Sequence, residues 1–196
     1  KKIMGKDPNF NWFLGVRFLS QFATMGFAFY IIYALRHFNM DTVTAGYLTA
    51  TLTISQTIAN AGMGWLGDKI GHRFMLILGG VAALLSAVLA WNAASIAWFY
   101  PIFILTGLAN VSIWTISIAM TVGFGTEAER PIYIGLSQTL TAPATIFAPI
   151  IGGFIVDAAG FIPTFSISAV LSVVMIGVLL FLVKDPRKHM TADGGR

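Results

Sequence analysis

Two carboxylates in matched surroundings are the first residues here that could do chemistry. Asp68 lies in Gly64-Trp-Leu-Gly-Asp-Lys-Ile-Gly-His-Arg73 and Asp157 in Gly153-Phe-Ile-Val-Asp-Ala-Ala-Gly160, so the spacing G-x-x-x-D-x-x-G occurs twice, 89 residues apart. A pair of acids sharing one site would suit acid/base hydrolysis. Other reactive groups are sparse. His37, His72 and His189 show no ligand spacing, no H-E-x-x-H occurs, and there is no cysteine, so no metal site and no cofactor is expected. Serine, histidine and aspartate show no nucleophile-elbow spacing. What remains is binding chemistry: one arginine, Arg17, and a set of amides within long uncharged stretches.

The elements that must position these groups follow from composition. Of 196 residues, 57% are hydrophobic and 10% charged, with mean hydropathy +0.80, against about 25% charged in soluble domains. A soluble fold of this length could not hide so much apolar surface, so the lipid bilayer is the expected solvent. The gaps between charges are regular: Asp41 to Asp68, Arg130 to Asp157 and Asp157 to Lys184 each enclose 26 uncharged residues, and Arg73 to Glu127 encloses 53. A crossing helix needs about 20 residues, so the chain is predicted to be an all-α membrane protein. Its six transmembrane helices fall at about 10–35, 43–66, 74–91, 96–122, 131–156 and 163–183, in a single domain over 1–196.

Each copy of the G-x-x-x-D-x-x-G spacing ends a span, the second and the fifth. The chain therefore reads as two three-helix repeats, about 10–91 and 96–183, the second inverted because three crossings are odd. Asp68 and Asp157 then end on opposite faces of a layer about 30 Å thick, which excludes a shared catalytic dyad and argues against an enzyme. Ten cations, Lys1, Lys2, Lys6, Lys69, Arg73, Arg130, Lys184, Arg187, Lys188 and Arg196, fall on one side, and Arg36 alone on the other. This asymmetry predicts an inner or plasma membrane protein with both termini and the Gly64–Arg73 turn in the cytoplasm. The net charge of +4 is spread over termini and turns with no basic stripe, so nucleic acid is excluded as a partner.

Helical spacing collects the polar residues into stripes: Arg17, Gln21 and Thr24; Thr49, Thr53, Gln56 and Asn60; Thr106, Asn110, Trp114, Ser117 and Thr121; Gln138, Thr141 and Thr145. The third and sixth spans carry no amide. An aqueous cavity for a small-molecule substrate, lined by the first, second, fourth and fifth spans, is expected. The hydroxyls fit equally well as bonds between neighbouring helices. Arg17 either reaches toward the headgroups or faces the cavity and meets an anion.

The turn resembles the cytoplasmic loop signature of the major facilitator superfamily, carried by Gly64, Leu66, Gly67, Asp68, Lys69, Gly71 and Arg73, with His72 where a cation is usual. The resemblance implies one six-helix half of a secondary active transporter working by alternating access, with spans one, two, four and five facing the substrate. It also implies a partner: the other six-helix half of the same transporter, or a second copy. The acid at Asp68 is implied to latch across the halves, with a local pairing to Arg130 as the alternative. Ala148-Pro149-Ile-Ile-Gly152-Gly153 is similar to an exporter fifth-helix element, and together with Pro143 is expected to bend and pack its helix. A basic start similar to the family's central linker, a fourth span without the arginine common in the amino-terminal half, and a short hydrophilic tail favour the carboxy-terminal half. The competing expectation is a six-span packing or assembly module without transport.

Overall fold

Helix starts are written into the turns. Asp7 accepts a hydrogen bond from the Phe10 amide at 3.0 Å, with Pro8 in the first turn, and opens α1, Pro8–Ala23. Asp41 accepts from the Thr44 amide at 3.3 Å and from the Thr44 hydroxyl to open α3, Thr42–Ile70. The hydroxyl bond holds the Asp41 carboxyl below its ordinary range, so this cap is present at neutral pH and fades as acid protonates it. Thr126 and Glu129 form a reciprocal turn, the Thr126 amide donating to Glu129 at 3.1 Å, just before α7, Arg130–Ala159.

The computed structural model describes residues 7–186, and every regular element among them is helical. Besides α1, α3 and α7, the helices are α2 (Tyr30–His37), α4 (His72–Trp91), α5 (Phe99–Val111), α6 (Ser117–Val122) and α8 (Phe161–Phe181). A 3-10 stretch, Met25–Phe29, joins α1 to α2 as the first span, and a π segment, Ser112–Ile116, joins α5 to α6 in the fourth. Of the six spans, five are apolar enough to cross a bilayer. The second, α3, has the length but is more polar, because four threonines, Ser55, Gln56 and Asn60 lie between positions 49 and 60. Lys1, Lys2, Lys6, Arg187, Lys188, His189 and Arg196 lie outside the described residues, so the charge asymmetry rests on them as sequence only.

An even number of crossings is visible where the two ends meet. Asn9 donates to the Lys184 carbonyl at 2.9 Å and accepts from the Lys184 amide at 2.7 Å, which ties the start of the first span to the end of the sixth. The packing pattern is regular: the first span packs on the fifth and sixth, the fourth on the second and third, and the third on the sixth. Exchanging one with four, two with five and three with six leaves that pattern unchanged. Helix ends keep the same offset: α3 and α7 end at Ile70 and Ala159, and α4 and α8 begin at His72 and Phe161, each pair 89 residues apart.

Lipid gives helices no hydrophobic reason to associate, so close approach and cross-helix hydrogen bonds must do it. The contacts pair a glycine with a serine. A Cβ on Gly107 would sit 2.6 Å from the Ser55 hydroxyl, which donates to the Ile104 carbonyl at 2.7 Å. A Cβ on Gly79 would sit 2.0 Å from the Ser112 Cβ, and Ser112 donates to the Met75 carbonyl at 3.2 Å. Between the first and sixth spans the roles reverse, with the Gly26 amide donating to Ser168 at 3.1 Å. Several threonine hydroxyls back-bond one turn earlier, as Thr49, Thr53 and Thr57 do to Ala45, Thr49 and Thr53, and so need no other partner. Gly107→Ala is expected to lower stability by about 1–3 kcal/mol through overpacking, while Gly15→Ala, which opens onto empty space, leaves it unchanged or slightly raised. Thermal unfolding of the two variants in detergent checks this pair.

Candidate functional site

The Gly64–Arg73 segment is less of a loop than its sequence suggests. No proline precedes Gly71 in this stretch and α3 runs through Gly64 and Gly67 to Ile70, with α4 beginning at His72, which leaves Gly71 as the single turn residue. Its φ of 116° lies in the region open to glycine, and its amide donates to the Gly67 carbonyl at 3.0 Å. Gly160 does the same at the second copy, with φ 89° and an amide bond to Val156 at 2.9 Å. The copies differ in what faces them. A Cβ on Gly71 would lie 2.4 Å from the Asp185 carboxylate, whereas a Cβ on Gly160 meets nothing within 4 Å.

The remaining signature residues hold this end together. Arg73 donates from Nε to the Leu179 carbonyl at 2.8 Å and from its Nη2 to Leu180 at 2.6 Å, which caps the last carbonyls of α8. Its amide donates to Asp185 at 3.4 Å, so a carboxylate sits at the amino end of α4, where the helix dipole favours it. Lys69 lies 3.7 Å from the centre of the Trp65 ring. Asp68 is exposed and lies 3.9 Å from Nε2 of His72, while Arg130 pairs with Glu127 at 3.3 Å, so Asp68 meets His72 rather than Arg130. His72 is buried against Gly67, where a Cβ would meet its ring at 3.3 Å. Leu66 packs at the edge of the core, and Gly64 faces open space.

The polar stripes resolve into two groups on two helix pairs. Between the first and fifth spans, Arg17 is only 2% exposed and does not reach the span's end. Its guanidinium donates to the Ser137 hydroxyl and, at 3.2 Å, to Gln138. Gln21 donates to Ser20 at 3.4 Å and accepts from Thr145 at 3.3 Å, while Thr24 and Thr141 return their hydroxyls to backbone carbonyls. Between the second and fourth spans, Gln56, Asn60, Asn110 and Trp114 line a cavity of about 340 Å3 with Val111 and Thr115. Thr115 donates to Asn60 at 3.0 Å. A larger recess of about 850 Å3 lies away from these stripes, at the end where Asn9 meets Lys184.

The fourth-span stripe is where helical spacing misleads. Thr106, Ser117 and Thr121 are buried inside the bundle rather than beside Asn110 and Trp114. For Ser117 and Thr121 the cause is the π segment, whose wider turn, marked by the Ser117 amide bonding back to Ser112, rotates the following residues away and brings Thr115 to the cavity; Thr106 precedes it and returns its hydroxyl to the Ile102 carbonyl at 2.8 Å. In the fifth span the helix runs unbroken through Pro143 and Pro149, both exposed. Gly152 is the packing residue there: a Cβ would meet the Phe29 ring at 2.7 Å, and Gly153 stands beside it at 3.9 Å.

A glycine turn flanked by Asp68 and Arg73, joining a polar-striped helix to an apolar one in a six-span bundle, agrees with what sequence comparison finds. The Major Facilitator Superfamily family matches residues 13–196. The chain belongs to that superfamily. Relatives include the MFS-type transporter ppzB of Metarhizium majus, 26% identical over 69% of this chain and 29% of that protein. Multidrug resistance protein 2 of Bacillus subtilis is 29% identical over 72% of this chain and 35% of its own length. The probable vesicular acetylcholine transporter-B of Danio rerio is 27% identical over 77% and 31%. The chain thus matches about a third of the length of these relatives. Superfamily membership makes it an integral membrane protein of a transporter family rather than an enzyme.

Sequence spacing missed Ser137, Thr115, Asn9 and Asp185. Asp185-Pro186 directly after an apolar span was the available signal for the last, since a carboxylate there can reach a neighbouring helix start. For this superfamily chain, Gly71→Ala is expected to destabilise more than Gly160→Ala. Both meet backbone strain of about 1–3 kcal/mol, and only Gly71 also meets Asp185. Thermal unfolding in detergent separates them.

Proposed function

We propose that this chain is one six-helix half of a secondary active transporter that moves a small solute by alternating access. The observation that carries the reading is the distribution of amides: Gln21, Gln56, Asn60, Asn110 and Gln138 lie on the first, second, fourth and fifth spans. Polar groups in hydrocarbon need partners or water, and a water-filled path faced by those four spans supplies both. The second and fifth spans are the least wrapped by their neighbours, with Ile54, Ile58 and Trp65 on one and Phe147, Ile150 and Phe154 on the other all exposed. That exposed surface fits a second six-helix bundle, either the other half of the same polypeptide or a second copy.

The units 10–91 and 96–183 are inverted repeats in this reading, supported by the 89-residue offset of helix ends and turns. The basic side, with both termini and the Gly71 turn, faces the cytoplasm across the plasma or inner membrane. The exposed Asp68 is the latch, and open-faced Gly64 leaves room for a helix of the other half to approach it. Its contact with His72 is local and leaves the carboxylate on the surface.

Transport by the full-length polypeptide in proteoliposomes tests the reading. Asp68→Asn is expected to slow flux severalfold with membrane expression unchanged, and an unchanged rate would remove the latch. No flux of any solute by the wild type would favour the packing-module alternative.

A further inference from the structure

We propose that the recess between the second and fourth spans is a solute subsite for an uncharged planar group that presents a hydrogen-bond donor and acceptor side by side, as a primary carboxamide or a lactam does. The inference rests on the transporter reading and adds the chemical class of solute.

The first observation is the absence of charge. Among the described residues, no ionisable side chain lines the cavity of about 340 Å3. Every described carboxylate lies in a turn or at a span end, and the Arg17 guanidinium is committed to Ser137 and Gln138 on the other helix pair. An ionised solute group entering here would lose its hydration and gain no counter-charge from these walls.

The second observation comes from accounting for the amides. Asn60 is occupied at both ends, accepting from Thr115 at 3.0 Å and donating to the Gln56 carbonyl at 2.9 Å. The side chains of Gln56 and Asn110 make no hydrogen bond among the described residues, yet both line the cavity. Each presents a carbonyl acceptor and an N–H donor in one plane. The complement of a planar donor–acceptor pair is another such pair in reverse order, the geometry by which a carboxamide grips an adenine edge. A ligand without it leaves a carboxamide unpaired once water is displaced, and is rejected for that reason.

The third observation is Trp114. It lies within the fourth span and is 44% exposed on the same cavity, where it offers a flat apolar face beside the amides. The π segment Ser112–Ile116 turns Trp114 and Thr115 outward together, so the platform and the hydroxyl that fixes Asn60 are set by one local distortion.

The test uses full-length protein in detergent and three probes sharing one ring system: indole-3-acetamide, indole-3-acetate and tryptamine, measured by equilibrium dialysis. The neutral amide is expected to bind at least tenfold more tightly than either ion. Asn110→Leu is expected to abolish that preference. Asn110→Asp keeps the side-chain volume and is expected to turn the preference toward tryptamine, a change that loss of packing alone would not produce. Trp114→Phe is expected to retain binding and Trp114→Ala to lose it. Equal binding of the three probes, binding of none, or a preference that survives both Asn110 variants overturns the proposal. Selective binding of the amide without flux of any solute in proteoliposomes would sink the transporter reading and leave the subsite standing. Flux with no such selectivity would do the reverse.

Discussion

The structure depends on one constraint: in hydrocarbon, every polar group must be satisfied from within the protein. The backbone meets it by staying helical through nearly every described residue, even across Pro143 and Pro149. Most hydroxyls meet it by bonding backward within a helix or across to a neighbour, as Ser55 does to the Ile104 carbonyl, while the buried Thr164 hydroxyl has no partner among the described residues. The amides and Arg17 are among the groups left with capacity that the backbone does not absorb. The groups able to recognise a solute are therefore the residue of a bookkeeping that has already settled the rest.

The same constraint explains the glycines at the crossings. Serine can hand its proton to another helix's carbonyl only if the two backbones approach closely, and a methyl group at Gly79 or Gly107 would prevent that. The third span meets the fourth, and the sixth meets the first, through the same kind of contact, with the donor on the fourth and the first span and the serine on the fourth and the sixth. Positions 79 and 168, a glycine and a serine, stand 89 apart, the same offset as the helix ends.

Much of this was legible in the residues. Charges at mid-bilayer are so costly that the uncharged gaps located five spans within a few residues, the first being an apolar run that carries Arg17, and the recurring glycine–aspartate spacing located both single-residue turns. Less visible was anything decided between spans. Arg17 could be placed in a span by counting, but its choice of Ser137 over the headgroups depends on how the first span lies against the fifth. The buried position of Ser117 and Thr121 depended on a π segment that the sequence does not announce, because Ser-Ile-Trp-Thr-Ile carries no breaker. Asp185 read as the start of a hydrophilic tail, and only the fold brings it to Gly71 and Arg73.

The reciprocal bond between Asn9 and Lys184 closes the bundle into a ring whose beginning and end are neighbours. In such a ring the order in which the chain visits the helices matters less than their contacts. A circular permutant with residues 7 and 186 linked and new ends cut in the connection 92–95 would keep every helix pair named above.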